Sequence, residues 1–477
     1  MIYRLAKGIT IEETIDGGSL IAARPLCVMR LNQSLLKLVR RMEQDWLTPA
    51  SDAETKVLET LAKRGFVERQ WQCLSPAENF PTVSIVIPVK DRADDLHNCL
   101  TSLKELEYPQ EKIEVVVVDD GSTDNTPSVA RELGAVLVES GAVAGGPALA
   151  RNKGAEVASG EILAFIDSDC TASTQWLMEL LPVFADEDVA AVGGWVDGMY
   201  TESALDRYEA VMSSLNLGRR EMSGGAGGDT FYLPSCNLLM RKEVFDSAGG
   251  FRPELHVGED VDLTWRLRDA GWKIVYLPRG TVFHAHRSKL WPFMKRRFDY
   301  GTSEGLLQQL HPVRGKKMLI PPMFATILGL LAAALTFKTF LLLPIAALML
   351  LIDTFLTTNK IRKQGLQLSS LKVLLARGRA VGSLGYYLGY HLLRYYLSPF
   401  LLAVVLYPPL IFLLLISILG VGLVDYRVRN PRMSLAAFYL YYVIEQLSYG
   451  SGAFWGCLRL KNFSSYRLDL KDVHSPI

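Results

Sequence analysis

Three short apolar runs in the first half of the chain, at residues 83–89, 113–118 and 162–166, are separated by helical patterns. Each run has the length and composition of a strand that is buried on both faces. The intervening stretches, such as 147–158, carry apolar residues at helical spacing. This alternation predicts an α/β domain, over residues 81–315, with a mostly parallel sheet and helices on both faces.

Residues 1–72 show a different pattern and predict a small α+β domain with a winged-helix-like outline. Two strand-like runs flank turn residues at 16–18, which indicates a hairpin. Two helices follow, the first after the N-cap residue Asn32 and the second near Ser51, and residues 66–68 read as a closing strand. Two interpretations remain open: a structural cap, or a module that binds a peptide through a strand edge and a helix groove. Residues 73–80 are interpreted as a linker.

Apolar residues are concentrated in the last part of the chain, 316–477. The runs 319–337 and 339–356 each approach the ~20 residues that span a bilayer. Basic residues flank the pair, so the positive-inside rule predicts a hairpin with both ends in the cytoplasm. The mixed stretches 366–395 and 434–458 suit interfacial helices, and Pro408 and Pro409 interrupt a further apolar run. The alternative is a set of buried core helices in a soluble protein.

Composition narrows the class of protein. The 477 residues carry a net charge of +1, which gives no general attraction for nucleic acid. A hydrophobic content of 49% and a mean hydropathy of +0.17 are high for a wholly soluble protein. The six cysteines form no CxxC pair, which favours neither a zinc site nor a disulfide framework and fits a reducing, cytosolic setting. The N-terminus has no long apolar core, so no signal peptide is expected.

Acidic residues follow two of the predicted strands directly. Asp119 and Asp120 come at the end of the second run, and Asp167 and Asp169 follow the third. The carboxyl ends of parallel strands meet at one edge of a sheet, where ligands bind. Carboxylates at that edge suit Mg²⁺ or Mn²⁺ together with substrate phosphates. Turn formation and helix capping are the alternative roles for these acids.

The motifs that carry these acids resemble glycosyltransferase family 2, whose members have the GT-A fold. The matching segments are Ser-Ile-Val-Ile-Pro at 84–88, Val-Asp-Asp-Gly-Ser-Thr-Asp at 118–124, Arg-Asn-Lys-Gly at 151–154 and Asp-Ser-Asp at 167–169. The resemblance implies nucleotide-sugar contacts at Pro88, Asp91, Asp119, Asp120, Arg151, Lys153, Asp167 and Ser168. It also implies a divalent ion, Mg²⁺ or Mn²⁺, held by Asp169 and Asp167 against the donor diphosphate.

A second group of motifs resembles the acceptor side of the same family. The Glu-Asp pair at 259–260 matches the family's motif in which the Asp is the catalytic base, so the resemblance implies this role for Asp260 in an inverting transfer. Glu259, Asn237 and Trp265 are the expected acceptor contacts. The alternative role of Asp260 is charge complementarity at a helix N-terminus.

Two further positions bear on metal binding and on product length. A histidine at 284 resembles the additional metal ligand of some members, with a structural or acceptor-contacting role as the alternative and His286 as the other candidate. Processive polysaccharide synthases carry Gln-x-x-Arg-Trp downstream, whereas residues 294–298 here lack that Trp. Synthesis of a long polymer is therefore not expected.

The order of the three parts resembles the mycofactocin-system members of the family, in which a domain similar to precursor-peptide recognition domains precedes the transferase. This resemblance implies transfer of glucose from UDP-glucose onto a peptide-derived redox cofactor, building a short β-linked oligosaccharide. It also implies an enzyme at the cytoplasmic side of the cell membrane. The alternatives are a transferase that acts on a lipid-linked or cell-envelope glycan, and a non-catalytic scaffold that binds a peptide at the membrane.

Overall fold

The computed structural model describes residues 1–14, 17–23, 26–43, 45–71, 80–141, 145–225, 230–314, 317–363, 368–467 and 469–471. Its strands are β1 (Ile2–Leu5), β2 (Ile9–Thr14), β3 (Gly17–Ala23), β4 (Leu26–Asn32), β5 (Val67–Gln70), β6 (Val83–Val89), β7 (Ile113–Asp119), β8 (Val136–Glu139), β9 (Ile162–Ile166), β10 (Cys170–Ala172), β11 (Val189–Gly193), β12 (Val196–Gly198), β13 (Met222–Gly224), β14 (Asn237–Arg241), β15 (Lys273–Tyr276), β16 (Val282–His284), β17 (Lys317–Leu319) and β18 (Asp469–Lys471). Its α-helices are α1 (Gln33–Arg41), α2 (Asp52–Lys63), α3 (Ala93–Lys104), α4 (Thr126–Glu132), α5 (Gly146–Val157), α6 (Trp176–Leu180), α7 (Ala204–Met212), α8 (Lys242–Ser247), α9 (Glu259–Asp269), α10 (Leu290–Thr302), α11 (Glu304–Leu310), α12 (Pro322–Thr336), α13 (Leu342–Lys363), α14 (Ser370–Tyr395), α15 (Leu397–Leu406), α16 (Leu410–Arg429) and α17 (Leu435–Leu460).

The N-terminal elements form two small antiparallel sheets, β2-β3-β4 and β1-β5, with two helices. Asn32 and Ser51 cap α1 and α2, as predicted, by accepting hydrogen bonds from the backbone N–H groups of Leu35 and Glu54. The predicted hairpin is β2-β3, whereas β1 and β4 were not predicted. Residues 15–16 of the predicted turn and 73–79 of the predicted linker lie outside the described residues.

An eight-stranded mixed sheet, in the order β13-β15-β11-β14-β9-β6-β7-β8, forms the centre of the α/β domain. Strands β9, β6, β7 and β8 are parallel, and β14 runs antiparallel to both of its neighbours. Side chains of β6 alternate between two cores, with Ile85 and Ile87 facing α3 and Val86 facing α5. The predicted α/β sheet with both faces covered is confirmed.

A second sheet, in the order β10-β16-β12, lies beside the carboxyl edge of β9. β10 begins directly after Asp169, and β16 pairs with it antiparallel so that Cys170 lies opposite His284. This pairing brings together two segments that are far apart in the chain.

Within its described residues, the C-terminal helical region (α12–α17) has two helices, α13 and α16, that are long and apolar enough to cross a membrane. α12 has 15 residues and is shorter than the predicted span 319–337. Pro408 and Pro409 separate α15 from α16, which confirms the predicted interruption. Glu445 and Gln446, in a stretch predicted to be interfacial, are buried.

Helix α17 packs closely against α10 and α11 through glycines on both sides. A Cβ atom added at Gly301, Gly452 or Gly456 would overlap a backbone carbonyl oxygen of the facing helix. The N-terminal domain also reaches the C-terminal helical region, because Ile21 packs with Ile361 and Val373. The three parts of the chain therefore contact one another.

Candidate active site

A cavity of about 720 Å³ opens at the carboxyl edge of β6, β7 and β9. Ten of the residues that the sequence singles out line it: Pro88, Asp120, Arg151, Asp167, Ser168, Asp169, Glu259, Asp260, Trp265 and His284. The edge of the sheet, the start of α9 and the end of β16 thus meet at one cavity.

Three basic side chains surround the carboxylate of Asp169. Its oxygen atoms lie 3.2 Å from Nη1 of Arg92, 3.6 Å from Nε2 of His284 and 3.7 Å from Nη1 of Arg287. Burial raises the pKa of Asp169, but His284, Arg92 and Arg287 outweigh burial and hold this pKa below its usual value. Asp169 is therefore a carboxylate anion at neutral pH.

Asp169, Cys170 and His284 offer ligand atoms within 4.8 Å of one another. Burial, and then the neighbouring Cys236, raises the pKa of the Cys170 thiol, so this side chain is protonated and a poor ligand. The carboxylate of Asp169 and the imidazole of His284 remain, a donor pair that fits a divalent cation such as Mn²⁺. Asp167, the other predicted ligand, pairs with Arg151 instead.

Arg151 connects the two acidic motifs. From α5, its buried guanidinium donates from Nη2 to Asp167 at 2.6 Å and from Nη1 to Glu259 at 2.9 Å. The guanidinium of Arg151 thereby holds an acid that follows β9 and an acid at the start of α9. Removing Arg151 would leave these two carboxylates without this shared partner.

Asp260 lies in the first turn of α9, after Gly258, which adopts a left-handed conformation with φ of 85°. Its two oxygen atoms accept hydrogen bonds from the backbone N–H groups of Val261 at 2.8 Å and Ser235 at 3.2 Å. Burial, followed by the adjacent carboxylate of Glu259, raises the pKa of Asp260 to about 7. A carboxylate with a pKa near neutrality is suited to act as a general base.

Acids at the end of β6 and β7 have different positions relative to the cavity. Asp120 lines it and accepts hydrogen bonds from the backbone N–H groups of Gly145 and Gly146, each at 2.9 Å. Asp91 and Asp119 instead bind the loop at 121–124, where the backbone N–H groups of residues 123 and 122 donate at 2.7 and 3.1 Å. The carboxylates of Asp91 and Asp119 hold this loop, and Asp120 is the one of the three that lines the cavity.

Besides Asp91 and Asp119, two further predicted site residues lie away from the cavity lining. Lys153 projects from the exposed side of α5 and pairs with Glu156 at 2.8 Å. Asn237 is buried, donates to the carbonyl oxygens of Trp195 and Gly280, and accepts from the indole of Trp176 at 2.8 Å. The structure thus corrects the expected donor contact of Lys153 and acceptor contact of Asn237, because both side chains are engaged elsewhere.

Sequence reasoning missed several residues that line the cavity. Arg92, Arg287 and Arg296 surround Asp169. In the sequence they lie beside Asp91, close to His284 and within the segment 294–298. Others come from the C-terminal helical region, namely Tyr390, Arg394, Tyr395 and Tyr449. Helical periodicity marks such residues as partly buried, but no pattern in the sequence indicates which cavity they face.

Several known proteins are similar to this chain in sequence or structure. A sequence model of glycosyl transferase family 2 matches residues 84–249. The chain is 31% identical over 405 residues to the pre-mycofactocin glycosyltransferase of Mycobacterium tuberculosis, covering 82% of each chain. It is 34% identical over 236 residues to glycosyltransferase AglE of Haloferax volcanii, which covers 47% of this chain and 73% of that protein. A mannosyltransferase from Pyrobaculum calidifontis, solved with GDP-Man and Mn²⁺, aligns with a TM-score of 0.40 at 24% identity over 69% of this chain and 87% of its own.

Proposed function

The chain belongs to glycosyltransferase family 2, in the mycofactocin-system group, and from this premise we propose that it transfers glucose from UDP-glucose to a peptide-derived redox cofactor of the mycofactocin type. We further propose that repeated transfer builds a short β-linked oligosaccharide. The observation that carries the proposal is the similarity to pre-mycofactocin glycosyltransferase, which extends over 82% of this chain and so beyond the catalytic domain.

Asp260 is the proposed general base of an inverting displacement. Its carboxylate takes the proton of the acceptor hydroxyl while that oxygen bonds to the anomeric carbon of the sugar. The bond from the anomeric carbon to the diphosphate oxygen breaks at the same time, and UDP leaves with the electron pair. The pKa of about 7 makes Asp260 more basic than an ordinary carboxylate and leaves about half of it deprotonated near pH 7.

The cavity also carries groups that suit a nucleoside diphosphate. Pro88, Asp120 and Ser168 lie at the sheet edge for the nucleoside, and the guanidinium groups of Arg92 and Arg287 are placed to contact phosphate oxygens. Asp169 and His284 are the residues that would hold Mg²⁺ or Mn²⁺. A cation bound there would neutralise the negative charge that develops on the departing diphosphate.

The N-terminal domain is assigned to binding of the acceptor, and the C-terminal helical region is assigned to attachment to the membrane. Within the described residues, β4 has one strand partner, β3, so its outer edge is available for a peptide in an extended conformation. The helices α13 and α16 would insert in the cell membrane, with the catalytic domain on the cytoplasmic side. This arrangement would bring a precursor-derived acceptor to a membrane-attached enzyme.

A second candidate function is transfer to a lipid-linked glycan. The observation that favours it is a connection between the cavity and an apolar helix, because α14 lines the cavity and its Tyr386 donates to Asp425 of α16 at 2.7 Å. A lipid-anchored acceptor would then approach along α16, and the N-terminal domain would be a structural cap.

The test of the proposal is an assay of the full-length enzyme in native membranes with UDP-glucose and pre-mycofactocin. We expect the acceptor to gain the mass of one or more glucose units, and to gain none with GDP-mannose or UDP-N-acetylglucosamine. A matched preparation of the Asp260→Asn variant controls for other membrane transferases. Glucose incorporation into the lipid fraction, with pre-mycofactocin unchanged, would support the second candidate and contradict the first.

A further inference from the structure

Part of the active-site cavity is built from the C-terminal helical region, beyond the catalytic domain. Tyr390, Arg394 and Tyr395 of α14 and Tyr449 of α17 line it, in the same cavity as Asp260. We propose that these residues form a subsite that binds a flat ring of the acceptor, which makes the C-terminal helical region a determinant of acceptor specificity. The inference rests on the proposed function, since it concerns the acceptor of that reaction.

The packing of the helices makes this wall a fixed part of the site. Gly301 of α10 meets the backbone of α17 near Tyr449, and Gly452 and Gly456 meet the backbone of α10 at Phe298 and Thr302. With no side chains between them, the two helices approach at backbone distance. A residue on α17 is therefore held in constant relation to the catalytic domain.

A carboxylate of the catalytic domain fixes two of the tyrosine rings. Glu304, at the start of α11, accepts hydrogen bonds from the hydroxyl of Tyr395 at 2.7 Å and from the hydroxyl of Tyr449 at 2.5 Å. These bonds join α11, α14 and α17 at one point and restrict rotation of both rings. Glu304 is thus a positioning residue of the subsite.

Arg394 adds a flat cationic surface to the wall. Its guanidinium carbon lies 3.3 Å from the centroid of the Tyr449 ring, and Nη1 lies 3.5 Å from Glu445. Glu445 also accepts from Tyr208 of the catalytic domain at 2.7 Å, so Arg394 is anchored from behind. Tyrosine rings and a guanidinium are flat groups, of the kind that attract aromatic rings and the apolar faces of sugars.

The same flat-ring chemistry has two sources in the proposed reaction. One is an aromatic ring of the unglycosylated acceptor, and the other is a glucose unit attached in an earlier turnover. The first would make the subsite select the acceptor, whereas the second would make it select the product for further elongation. The experiment distinguishes the two sources by measuring whether the KM changes for the unglycosylated acceptor or for the glucosylated one.

The experiment compares three variants of the full-length enzyme in membranes. Tyr390→Ala removes a ring, and Tyr390→Phe restores it without the hydroxyl. Tyr387→Ala is the matched control, because Tyr387 lies one turn earlier on α14, is 56% exposed and lies outside the cavity lining. The KM values for UDP-glucose, for pre-mycofactocin and for its singly glucosylated product are measured for each variant.

For Tyr390→Ala we expect the acceptor KM to rise by about 10-fold, which is the effect of losing one stacking contact between an aromatic side chain and a ring. The donor KM should change by less than about two-fold. Tyr390→Phe and Tyr387→Ala should retain the acceptor KM of the unsubstituted enzyme. A rise for pre-mycofactocin assigns the subsite to the aglycone, and a rise for the glucosylated product alone assigns it to an attached sugar.

An unchanged KM of Tyr390→Ala for both acceptors would overturn the inference. A parallel loss of donor and acceptor binding in this variant would also overturn it, because that result indicates a structural role for Tyr390. These outcomes differ from failure of the proposed function, in which the unsubstituted enzyme itself transfers no glucose to either acceptor. Glu304→Gln, which keeps an acceptor oxygen for the tyrosine hydroxyls, should affect the acceptor KM less than Glu304→Ala.

Discussion

Nε2 of His284 lies 3.6 Å from Oδ1 of Asp169. Pairing of β16 with β10 creates this proximity, because it places His284 opposite the residue that follows Asp169. The candidate cation site is therefore formed by strand pairing in a small second sheet, together with the Asp-Ser-Asp turn of the main sheet. Its integrity depends on both sheets.

The first prediction concerns the cation. EDTA should abolish transfer, and added Mn²⁺ or Mg²⁺ should restore it, because we propose that Asp169 and His284 hold the cation that neutralises the departing diphosphate. His284→Ala should weaken Mn²⁺ binding by roughly 10- to 100-fold, as measured by electron paramagnetic resonance titration. His97→Ala, at an exposed position on α3, is the control. Full activity in EDTA would contradict the prediction.

The second prediction concerns the base. Asp260→Asn keeps the shape of the side chain but cannot accept a proton, so turnover should fall by roughly 10²–10⁴-fold. The affinity for UDP-glucose, measured by calorimetry, should remain nearly constant. Asp246→Asn, at an exposed position on α8, should have little effect. A rate close to that of the unsubstituted enzyme in Asp260→Asn would assign the base elsewhere.

The third prediction concerns pH. Asp260 acts as a carboxylate, so kcat/KM should rise with pH through about 7 and then level off. Glu259→Gln removes the neighbouring negative charge that helps to raise this pKa, and the rising limb should therefore move to lower pH. A profile of the Glu259→Gln variant that is unshifted, or shifted to higher pH, would refute this account.

The fourth prediction concerns peptide binding by the N-terminal domain. If a precursor peptide adds a strand to β4, amide hydrogens of residues 26–32 should exchange more slowly when the peptide is bound to the full-length protein. Residues 136–139 of β8, an edge strand of the central sheet, provide an internal control. Equal exchange at β4 with and without saturating peptide would favour the structural-cap interpretation.

The fifth prediction concerns the contact between α10 and α17. Gly452→Ala should destabilise the protein by about 1–3 kcal/mol, because the new methyl group would overlap the carbonyl oxygen of Phe298. Gly378→Ala on α14 is the matched control, since a Cβ there meets no atom within 4 Å. The control should be neutral or stabilising by up to about 1 kcal/mol. Thermal unfolding in detergent measures both, and equal melting temperatures would contradict close packing at Gly452.

The sequence predicted the central strands well, because β6, β7 and β9 are mostly apolar runs, and β7 and β9 lead directly into acids. It also predicted both N-terminal helices from their caps. It missed β4, whose side chains are mostly half-buried and whose pattern, Leu-Cys-Val-Met-Arg-Leu-Asn, alternates weakly. The strand forms because β3 offers it a partner, which is a non-local effect.

The sequence predicted the site residues that directly follow a strand. It did not predict those that reach the cavity through the packing of helices. Arg151 and Lys153 are two positions apart on α5, and such residues point to different sides of a helix, so only one of them faces the cavity. Asn237 is turned toward Trp176 by the pleat of β14. Arg394 and Tyr449 reach the cavity through helix contacts that no spacing along the chain encodes.

The hydrogen bond from Tyr386 of α14 to Asp425 of α16 has a consequence for the reach of the enzyme. If α16 lies in a bilayer, its hydrogen bond to α14 would fix the distance of the cavity from the membrane surface. The α10–α17 contact would fix the distance of Asp260 from that surface in the same way. The distance between the membrane surface and the reacting hydroxyl would then be a constant of the molecule. Acceptors would be sorted by how far their hydroxyl stands from the membrane, before any contact with a side chain.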